Sequence, residues 1–317
     1  MGSRIRMKLS AIWSDVERVA RREHVIDIGA GDVRDLRASV FTEWIANGRH
    51  ASMAYLAKNV AVREEPSHRF PWAKSVIALL VPYASERPSA PSDSLSHHIA
   101  RYALGDDYHD VLDRILRMLE EEIARLAPGT KTWRYVDTGP LSDRSLAAQA
   151  GLGWIGKNGM LIHEEDGSYF FIGTLLTSLE NDLHAGEVAD RCGACTRCLD
   201  ACPTHAILPN RTVDSALCIS YATIEHRGPF EIHTAGNAFG CDICQEVCPW
   251  NERPPEPHPA FLPRDEYRAT PVSDLLRFSQ TDFSTLFRKS AIKRAKLAGM
   301  KRNVEALERR TESAERR

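Results

Sequence analysis

The sequence is organised around the run Cys192-Gly-Ala-Cys195-Thr-Arg-Cys198-Leu-Asp-Ala-Cys202-Pro203. A second run, Cys241-Asp-Ile-Cys244-Gln-Glu-Val-Cys248-Pro249, follows it, and Cys218 lies between the two, so that all eight cysteines fall in one segment. The first run has the spacing C-x2-C-x2-C-x3-C-P, in which bacterial ferredoxins use three cysteines for one cluster and the fourth for another. The segment is therefore predicted to bind two 4Fe–4S clusters.

The eight cysteines divide into two sets of four. Three closely spaced thiolates can bind one face of a cluster, and the chain then turns away at the Cys-Pro pair to contribute the fourth cysteine elsewhere. The predicted sets are Cys192, Cys195, Cys198 and Cys248 for the first cluster, and Cys202, Cys218, Cys241 and Cys244 for the second. Because Cys218 is far from Cys241 in sequence, we expect a longer loop over the second cluster than a symmetric ferredoxin has.

Zinc and disulfide bonds are the alternative uses of these cysteines. Structural zinc sites usually place two separated CxxC pairs, whereas this segment has three cysteines in close succession and a Cys-Pro pair. Disulfides form in oxidising compartments, and the N-terminus has basic residues but no apolar signal core. Both alternatives are disfavoured, and the protein is expected in the cytoplasm.

Length and composition are those of a globular protein. A chain of 317 residues predicts about two domains, and no apolar run approaches the roughly 18 residues that suggest a membrane span. The formal net charge is −2, so the charge of the whole protein favours no particular partner. Basic residues outnumber acidic ones from Arg288 to Arg317, which suits contact with a phosphate backbone, although a solvated helix face has the same composition.

Helices and strands alternate before the cysteine segment. Apolar residues at helical spacing predict helices, and the apolar run Lys74–Val81 is typical of a strand buried on both faces. The predicted helices cover about 12–23, 41–45, 53–56, 111–126 and 145–150, and the predicted strands 74–81, 133–137, 160–162 and 169–176. The fold is therefore predicted as α+β, with an α/β domain at 1–185, a ferredoxin-like domain at 186–262 and a short basic helical tail at 263–317.

A glycine-rich turn, Gly151-Leu-Gly153-Trp-Ile-Gly156-Lys157-Asn158, matches the string G-x-G-x-x-G. A dinucleotide site requires that loop between a strand and a helix, whereas here a helix precedes it and a strand follows. It also nearly matches a phosphate-binding loop, but Asn158 replaces the required hydroxyl. We therefore expect no nucleotide, and instead a backbone cradle for a large flat ligand.

Asp137 is the strongest catalytic candidate in the α/β domain. It follows a predicted strand and precedes a Gly-Pro break, where side chains face clefts in α/β folds, and a carboxylic acid there could supply a proton during a reduction. A turn-capping aspartate is the alternative. The group Tyr102, Asp107, Tyr108 and His109 is predicted to form either the cap of the long helix or the edge of a polar pocket.

Three motifs together with the cysteine runs resemble the epoxyqueuosine reductase family over residues 10–305. The motifs are Arg101-Tyr-Ala-Leu-Gly-Asp-Asp-Tyr108-His109, Val136-Asp-Thr-Gly-Pro-Leu-Ser-Asp-Arg144 and Ala150-Gly-Leu-Gly-Trp-Ile-Gly-Lys-Asn158. The resemblance implies an oxidoreductase that reduces the epoxide of epoxyqueuosine in a tRNA anticodon loop to queuosine, the last step of queuosine biosynthesis. It also implies the layout of reductive dehalogenases, with base-off cobalamin in the α/β domain beside the nearer cluster.

The resemblance also implies roles for individual residues. Asp137 carries over as the proton donor. The residues implied to contact cobalamin are Arg63, Arg101, Asp137, Leu161, Ile172, Leu175, Ser220, Asp242 and Ile243. Cobalamin itself is implied by the resemblance alone, because the sequence contains no D-x-H-x-x-G motif.

Partners follow from the same resemblance. They are a tRNA with epoxyqueuosine at the wobble position and an external electron donor of flavodoxin or ferredoxin type, with no membrane and a monomeric chain. Some family members continue into a helical-repeat domain that is lacking here, so the basic tail is expected to carry more of the tRNA contact. The alternatives are a reductive dehalogenase-like enzyme acting on a small substrate and a ferredoxin-type electron carrier without a substrate.

Overall fold

The structure of the protein is a computed structural model that describes residues 7–33, 37–84, 90–183, 186–229 and 232–315. The first six residues and residues 316 and 317 at the end of the basic tail lie outside the described residues, as do residues 184 and 185 at the predicted domain boundary. Every helix within the described ranges is too short or too polar to cross a bilayer.

The α-helices follow the sequence predictions closely in the N-terminal half. They are α1 Trp13–Arg22, α2 Ala38–Ala46, α3 Ala54–Ala57, α4 Val60–Glu64, α5 Tyr108–Leu126, α6 Asp143–Gln149, α7 Arg197–Ala201, α8 Ile219–Ile224, α9 Ile243–Glu246, α10 Asp265–Ala269, α11 Gln280–Leu286 and α12 Lys296–Glu315. The long helix α5 buries one apolar stripe, including Leu112, Ile115 and Leu119. Asp107 caps it by accepting a hydrogen bond from the backbone N–H of His109.

A four-stranded sheet lies at the centre of the N-terminal half. The strands are β1 Asp27–Asp32, β2 Ser75–Pro82, β3 Thr132–Tyr135, β4 Trp154–Ile155, β5 Leu161–Ile162 and β6 Phe170–Thr177. The sheet order is β1-β2-β6-β3, and all three pairings are antiparallel, whereas β4 and β5 form a separate hairpin. The mixed α+β fold is confirmed, but the alternation of helices and strands does not produce the parallel sheet typical of α/β domains.

Strand β2 is buried along its whole length, as predicted from its apolar run. One face packs with α1 and α5, and the other packs with α6 and the β4–β5 hairpin. Strand β1 was not predicted, because glycine and aspartate disfavour strands. Its Gly29 permits the close approach of α6, since a Cβ there would lie 2.1 Å from the carbonyl oxygen of Ala150.

The C-terminal tail shares a hydrophobic core with the segment that precedes α5. Leu95, Ile99 and Leu104 pack with Phe239 of the cysteine segment and with tail residues such as Phe287. Arg302 of α12 donates hydrogen bonds to the carbonyls of Ala222, His226 and Gly228. One hydrophobic core therefore joins residues of all three predicted domains, whose limits stay a prediction. Arg302 stabilises contacts within the chain.

A buried polar network joins the sheet to the cysteine segment. The side-chain amide of Gln245, between Cys244 and Cys248, donates to the carbonyl of Ser168 at 3.0 Å. Asn251 accepts from the backbone N–H of Ser168 at 2.7 Å and donates to the carbonyl of Gln245 at 2.8 Å. Because buried amides need partners, this network fixes the second cysteine run against the start of β6.

Replacing Asn251 by Ala should destabilise the protein by about 3 kcal/mol, since the Ser168 N–H and the Gln245 carbonyl would lose their buried partners. Thermal unfolding of the anaerobic protein measures this effect. Asn47→Ala is the matched control, because Asn47 is exposed and its side chain reaches only a carbonyl of its own helix. Equal melting temperatures for the two variants would show that the network is dispensable.

Candidate active site

The cysteines of the first predicted set form no disulfide, and Cys248 and Cys192 pack in the same hydrophobic cluster. Burial raises the pKa of Cys198, and the charges of Cys248 and Cys192 raise it further. Burial likewise raises the pKa of Cys248, followed by the charges of Cys192 and Cys195. These mutual influences are consistent with one four-thiolate set, and the ligand assignment stays a prediction.

The second predicted set behaves in the same way, and all four of its cysteines are half-buried. Burial raises the pKa of Cys241 to about 12, with contributions from the charges of Cys218 and Cys202. Burial also raises the pKa of Cys244 well above its usual value, followed by the charges of Cys241 and Cys218. Four soft thiol donors in each group suit an iron–sulfur cluster.

The glycine-rich turn holds the cysteine segment. Lys157 Nζ donates to the carbonyls of Gly193 at 2.7 Å and Cys195 at 2.9 Å. The buried Asn158 donates to the carbonyl of Cys244 at 3.4 Å. The turn therefore contacts both cysteine runs, and its near match to a phosphate-binding loop reflects this structural task.

The glycines of this turn serve packing within the β4–β5 hairpin. A Cβ on Gly153 would lie 2.1 Å from the carbonyl oxygen of Ile162, and a Cβ on Gly156 would lie 2.4 Å from the Ile162 side chain. These glycines therefore closely approach the protein's own chain, whereas we had expected them to approach a flat ligand.

The loop between Cys202 and Cys218 is held by the N-terminal helices. Trp44 Nε1 donates to the carbonyl of Val213 at 2.7 Å, and Arg49 forms an ion pair with Asp214. The hydroxyl of Ser52 lies 2.6 Å from that of Tyr221. The segment from α2 to α3 thus covers the region that leads into Cys218.

Asp137 lies just beyond the end of β3, as predicted, in a sharply turned loop. Its φ of +51° is uncommon for a residue with a side chain. Tyr135 donates to the Asp137 carbonyl at 2.8 Å, and Arg63 donates to the carbonyls of Leu141 at 2.5 Å and Gly139 at 2.9 Å. These hydrogen bonds to its carbonyls fix the backbone of the loop, while the Asp137 side chain is 61% exposed.

The Asp137 carboxylate is oriented by the first turn of α5. Tyr108 donates its hydroxyl to Asp137 Oδ2 at 2.7 Å, and His109 Nε2 lies 3.8 Å from the same oxygen. Burial alone would lower the pKa of His109, but the hydrogen bond and charge of Asp107 and the charge of Asp137 raise it overall. The predicted pocket edge and the predicted helix cap are therefore the same group of residues.

Asp143 is a second carboxyl group at this site. It opens α6, six positions after Asp137. Burial raises the pKa of Asp143 to about 6, and the charge of Asp137 contributes to the same direction. A carboxyl group whose pKa is raised toward neutrality beside another carboxyl group is typical of sites that move protons near neutral pH.

Asp242 connects this site to the second cysteine set. It is buried, and its Oδ2 accepts the backbone N–H of Arg101 at 2.7 Å. The Arg101 guanidinium lies 5.2 Å from the ring centre of Tyr169. Burial raises the pKa of Tyr102, and the charges of Asp137 and then Asp242 raise it further. The Tyr102 ring lies 6.4 Å from that of Tyr108, and a Cβ on Gly240, the residue before Cys241, would lie 3.5 Å from it.

The structure separates the other residues implied to contact cobalamin. Leu161 and Ile172 pack on one face of the sheet, whereas Leu175 packs on the opposite face, and both leucines are completely buried. Ser220 hydrogen-bonds Cys218, and Ile243 opens α9 between Cys241 and Cys244. Arg101, Asp242, Ser220 and Ile243 therefore lie near the second cysteine set. Arg63 contacts the Asp137 loop, and the two buried leucines gain no support from the geometry.

Sequence reasoning missed the roles of Tyr108 and Gln245. Tyr108 was recognised only as part of a polar group, and its bond to Asp137 joins residues 29 positions apart. Gln245 lies inside the second cysteine run, where the cysteines were the visible signal. A polar residue with an amide side chain between two ligand cysteines is the signal that could have indicated a buried anchor.

Comparisons with known proteins agree with this geometry. The family model described as "4Fe-4S double cluster binding domain" matches residues 191–251, and the model described as "Epoxyqueuosine reductase QueG, DUF1730" matches residues 63–138. An epoxyqueuosine reductase of Leadbetterella byssophila is 39% identical over 87% of this chain and 91% of its own length.

The chain belongs to the epoxyqueuosine reductase family. It is accordingly an oxidoreductase that contains a 4Fe–4S double-cluster binding domain. Among solved structures, an epoxyqueuosine reductase bound to an epoxyqueuosine-modified tRNA-Tyr stem loop is similar with a TM-score of 0.82 and 28% identity, covering 94% of this chain and 81% of that one.

A structure of the Bacillus subtilis epoxyqueuosine reductase is similar with a TM-score of 0.80 and 28% identity, with the same coverage of 94% and 81%. In that structure the loop of the catalytic aspartate is swung out of the active site. A reductive dehalogenase aligns with a TM-score of only 0.38 at 16% identity, which is too weak to support an inference.

Replacing one cysteine from each predicted set should remove one cluster at a time. Cys195→Ala and Cys241→Ala are each expected to reduce the iron content from about eight to about four atoms per chain. Iron and sulfide analysis of anaerobic preparations, with electron paramagnetic resonance (EPR) of the reduced proteins, measures this. A variant that kept the full iron content would show that its cysteine is not a ligand.

Proposed function

We propose that this chain reduces the epoxide of epoxyqueuosine in a tRNA anticodon loop, with cobalamin and two 4Fe–4S clusters as cofactors and Asp137 as the proton donor. The observation that supports the proposal is the chain of contacts from Asp137 through Tyr108 and Tyr102 to Gly240. These contacts lead from an exposed carboxyl group to the residue before Cys241, a predicted ligand of the second cluster.

Cobalamin suits the polar groups around Arg101, Tyr169 and Asp242. The Tyr169 hydroxyl is buried and has no hydrogen-bond partner within the described residues, which is unusual unless a ligand supplies one. Arg101, Tyr169 and Asp242 would contact the amide side chains of the corrin, with Ser220 and Ile243 at its cluster side. When bound, cobalamin would supply a low-valent cobalt capable of opening the epoxide, a reaction that protein side chains cannot drive.

The protein's own residues position the substrate and move protons. Conversion of an epoxide to an alkene consumes two electrons and two protons and releases water. The Tyr108 hydroxyl holds one oxygen of Asp137 at 2.7 Å, so the other oxygen can present a proton to the oxygen that leaves carbon. His109 and Asp143 lie next to this carboxyl group and would restore its proton between turnovers.

The two predicted cysteine sets would hold the clusters, which would supply electrons from an external donor of flavodoxin or ferredoxin type. The Gln245 network would fix the second cysteine run, and with it the second cluster, against the sheet. We expect a monomer, because one chain supplies every residue invoked here. We place the reaction in the cytoplasm, where thiols stay reduced and tRNA is the substrate implied by the stem-loop complex of the related enzyme.

Asp137→Asn should keep both clusters and cobalamin but lower turnover of an epoxyqueuosine-containing stem loop by about 10²–10⁴-fold, the usual contribution of a positioned acid. Tyr108→Phe should lower turnover by up to about tenfold, since it removes one hydrogen bond to that acid. Single-turnover assays with chemically reduced protein measure both effects.

Asp110→Asn is the matched control, because Asp110 is exposed on the same helix as Tyr108. Its turnover should equal that of the unmodified protein. Full activity of the Asp137→Asn variant, with metal content unchanged, would remove Asp137 from the mechanism and leave the source of the proton elsewhere.

A further inference from the structure

A cleft of about 500 Å³ opens between three parts of the chain that are far apart in sequence. One wall comes from residues 52–55 at the start of α3, another from residues 225–227 after α8, and the third from residues 293–296 at the start of α12. Four of its lining residues are cations, and Glu225 is the only carboxylate among those that line it. The cleft is therefore suited to an anionic ligand.

Tyr55 forms the aromatic part of the cleft. Its side chain is 46% exposed, although a large aromatic residue usually buries its ring. The Arg294 guanidinium lies 5.6 Å from the ring centre and is paired with Glu225 at 2.8 Å. Arg294 thus steadies the tyrosine, its charge is balanced by Glu225, and much of the Tyr55 ring remains open.

Among the cations that line the cleft, Lys293 and Lys296 differ from Arg227 and Arg294, whose side chains bind other parts of the protein. Arg227 donates to the carbonyls of Ile224, Arg294 and Ala295, which fixes the turn before α12. The exposed side chains of Lys293 and Lys296 have neither an ion-pair nor a hydrogen-bond partner among the residues that the structure describes. Their charges are therefore available to a ligand.

Lys296 occupies a backbone conformation that otherwise belongs to glycine. Its φ is 61° and its ψ is 163°, a region that residues with a Cβ rarely adopt. Gly299 lies three positions later in the same helix, so this part of the helix tolerates a glycine. Strained backbone of this kind is concentrated at functional sites.

The cleft adjoins α8, the helix that directly follows Cys218 of the second predicted set. Glu225 and Arg227 follow the end of α8, and the Ser52 hydroxyl at the cleft lies 2.6 Å from the Tyr221 hydroxyl of that helix. A polymer whose modified nucleotide reaches the site beside this set would therefore extend over Tyr55 and the two lysines.

We propose that this cleft binds single-stranded RNA next to the modified nucleotide, with one base stacked on Tyr55 and the neighbouring phosphates bound by Lys293 and Lys296. The inference rests on the proposed function, because it takes a tRNA anticodon loop as substrate. An aromatic ring flanked by unpaired cations is the usual arrangement for binding unpaired nucleotides without reading their sequence.

The experiment measures binding of an epoxyqueuosine-containing anticodon stem loop to the cofactor-loaded protein by fluorescence anisotropy over a range of salt concentrations. The Lys293→Gln, Lys296→Gln double variant should bind more weakly, and the slope of log K against log salt should fall by about 1.4. Tyr55→Leu should weaken binding by roughly five- to a hundredfold with little change of slope.

Lys296→Gly separates an RNA contact from a structural role. Because glycine relieves the backbone conformation, this variant should melt at a higher temperature than the unmodified protein and yet bind RNA more weakly. Lys131→Gln is the control, since Lys131 is exposed and lies at the end of β3 opposite to Asp137. It should bind RNA normally.

Two results would overturn the inference while leaving the proposed function intact. One is stem-loop binding by the lysine and tyrosine variants that equals binding by Lys131→Gln. The other is loss of cobalamin, seen in the visible spectrum, as the sole effect of the lysine variants. Failure of the unmodified protein to bind or turn over the stem loop would instead reject the proposed function itself.

Discussion

The hydrogen bonds of Gln245 and Asn251 to Ser168 are the constraint on which the active site depends. These groups are buried, and they join the second cysteine run to the start of β6. A buried amide that loses its partner costs about 1–3 kcal/mol, so the cysteine segment cannot shift against the sheet without a large penalty. Lys157 and Asn158 hold the same segment from the glycine-rich turn. Electron transfer within one chain requires such fixed placement, because the donor and acceptor groups are held by the protein and do not diffuse.

The Asp137 loop shows a different balance between rigidity and access. Tyr135 and Arg63 bind its backbone carbonyls from behind, which stabilises an uncommon φ at the catalytic candidate. Among the described residues, the carboxyl group itself contacts the start of α5 through Tyr108 and His109. This arrangement fixes where the acid points while leaving it accessible to a substrate as large as an RNA loop.

Much of the fold followed from local pattern. The apolar run of β2 and the stripe of α5 predicted elements that the structure contains at nearly the same positions. Strand β1 was missed because its glycines serve a tertiary contact with α6 and carry no local strand signal. The antiparallel order was also beyond reach, since helices and strands that alternate along a chain do not specify strand direction in the sheet.

Only part of the site could be predicted, because it too depends on contacts between residues that are far apart in sequence. Asp137 could be predicted from its position after a strand. The role of its partner Tyr108 depends on a hydrogen bond between residues 29 positions apart, which no local pattern indicates. The glycine-rich turn suggested a ligand cradle, yet its glycines pack against Ile162. The cleft at Tyr55 combines three distant segments, and no local pattern connects them.

The central claim is that the second cluster lies directly beside the proposed cobalamin site near Arg101, Tyr169 and Asp242. The most direct test is the EPR relaxation of cob(II)alamin bound to the protein, measured with the clusters oxidised and then reduced. The account predicts faster relaxation or splitting of the cobalt signal on reduction, and loss of that effect in Cys241→Ala but not in Cys195→Ala. A cobalt signal that is unchanged by cluster reduction would contradict it.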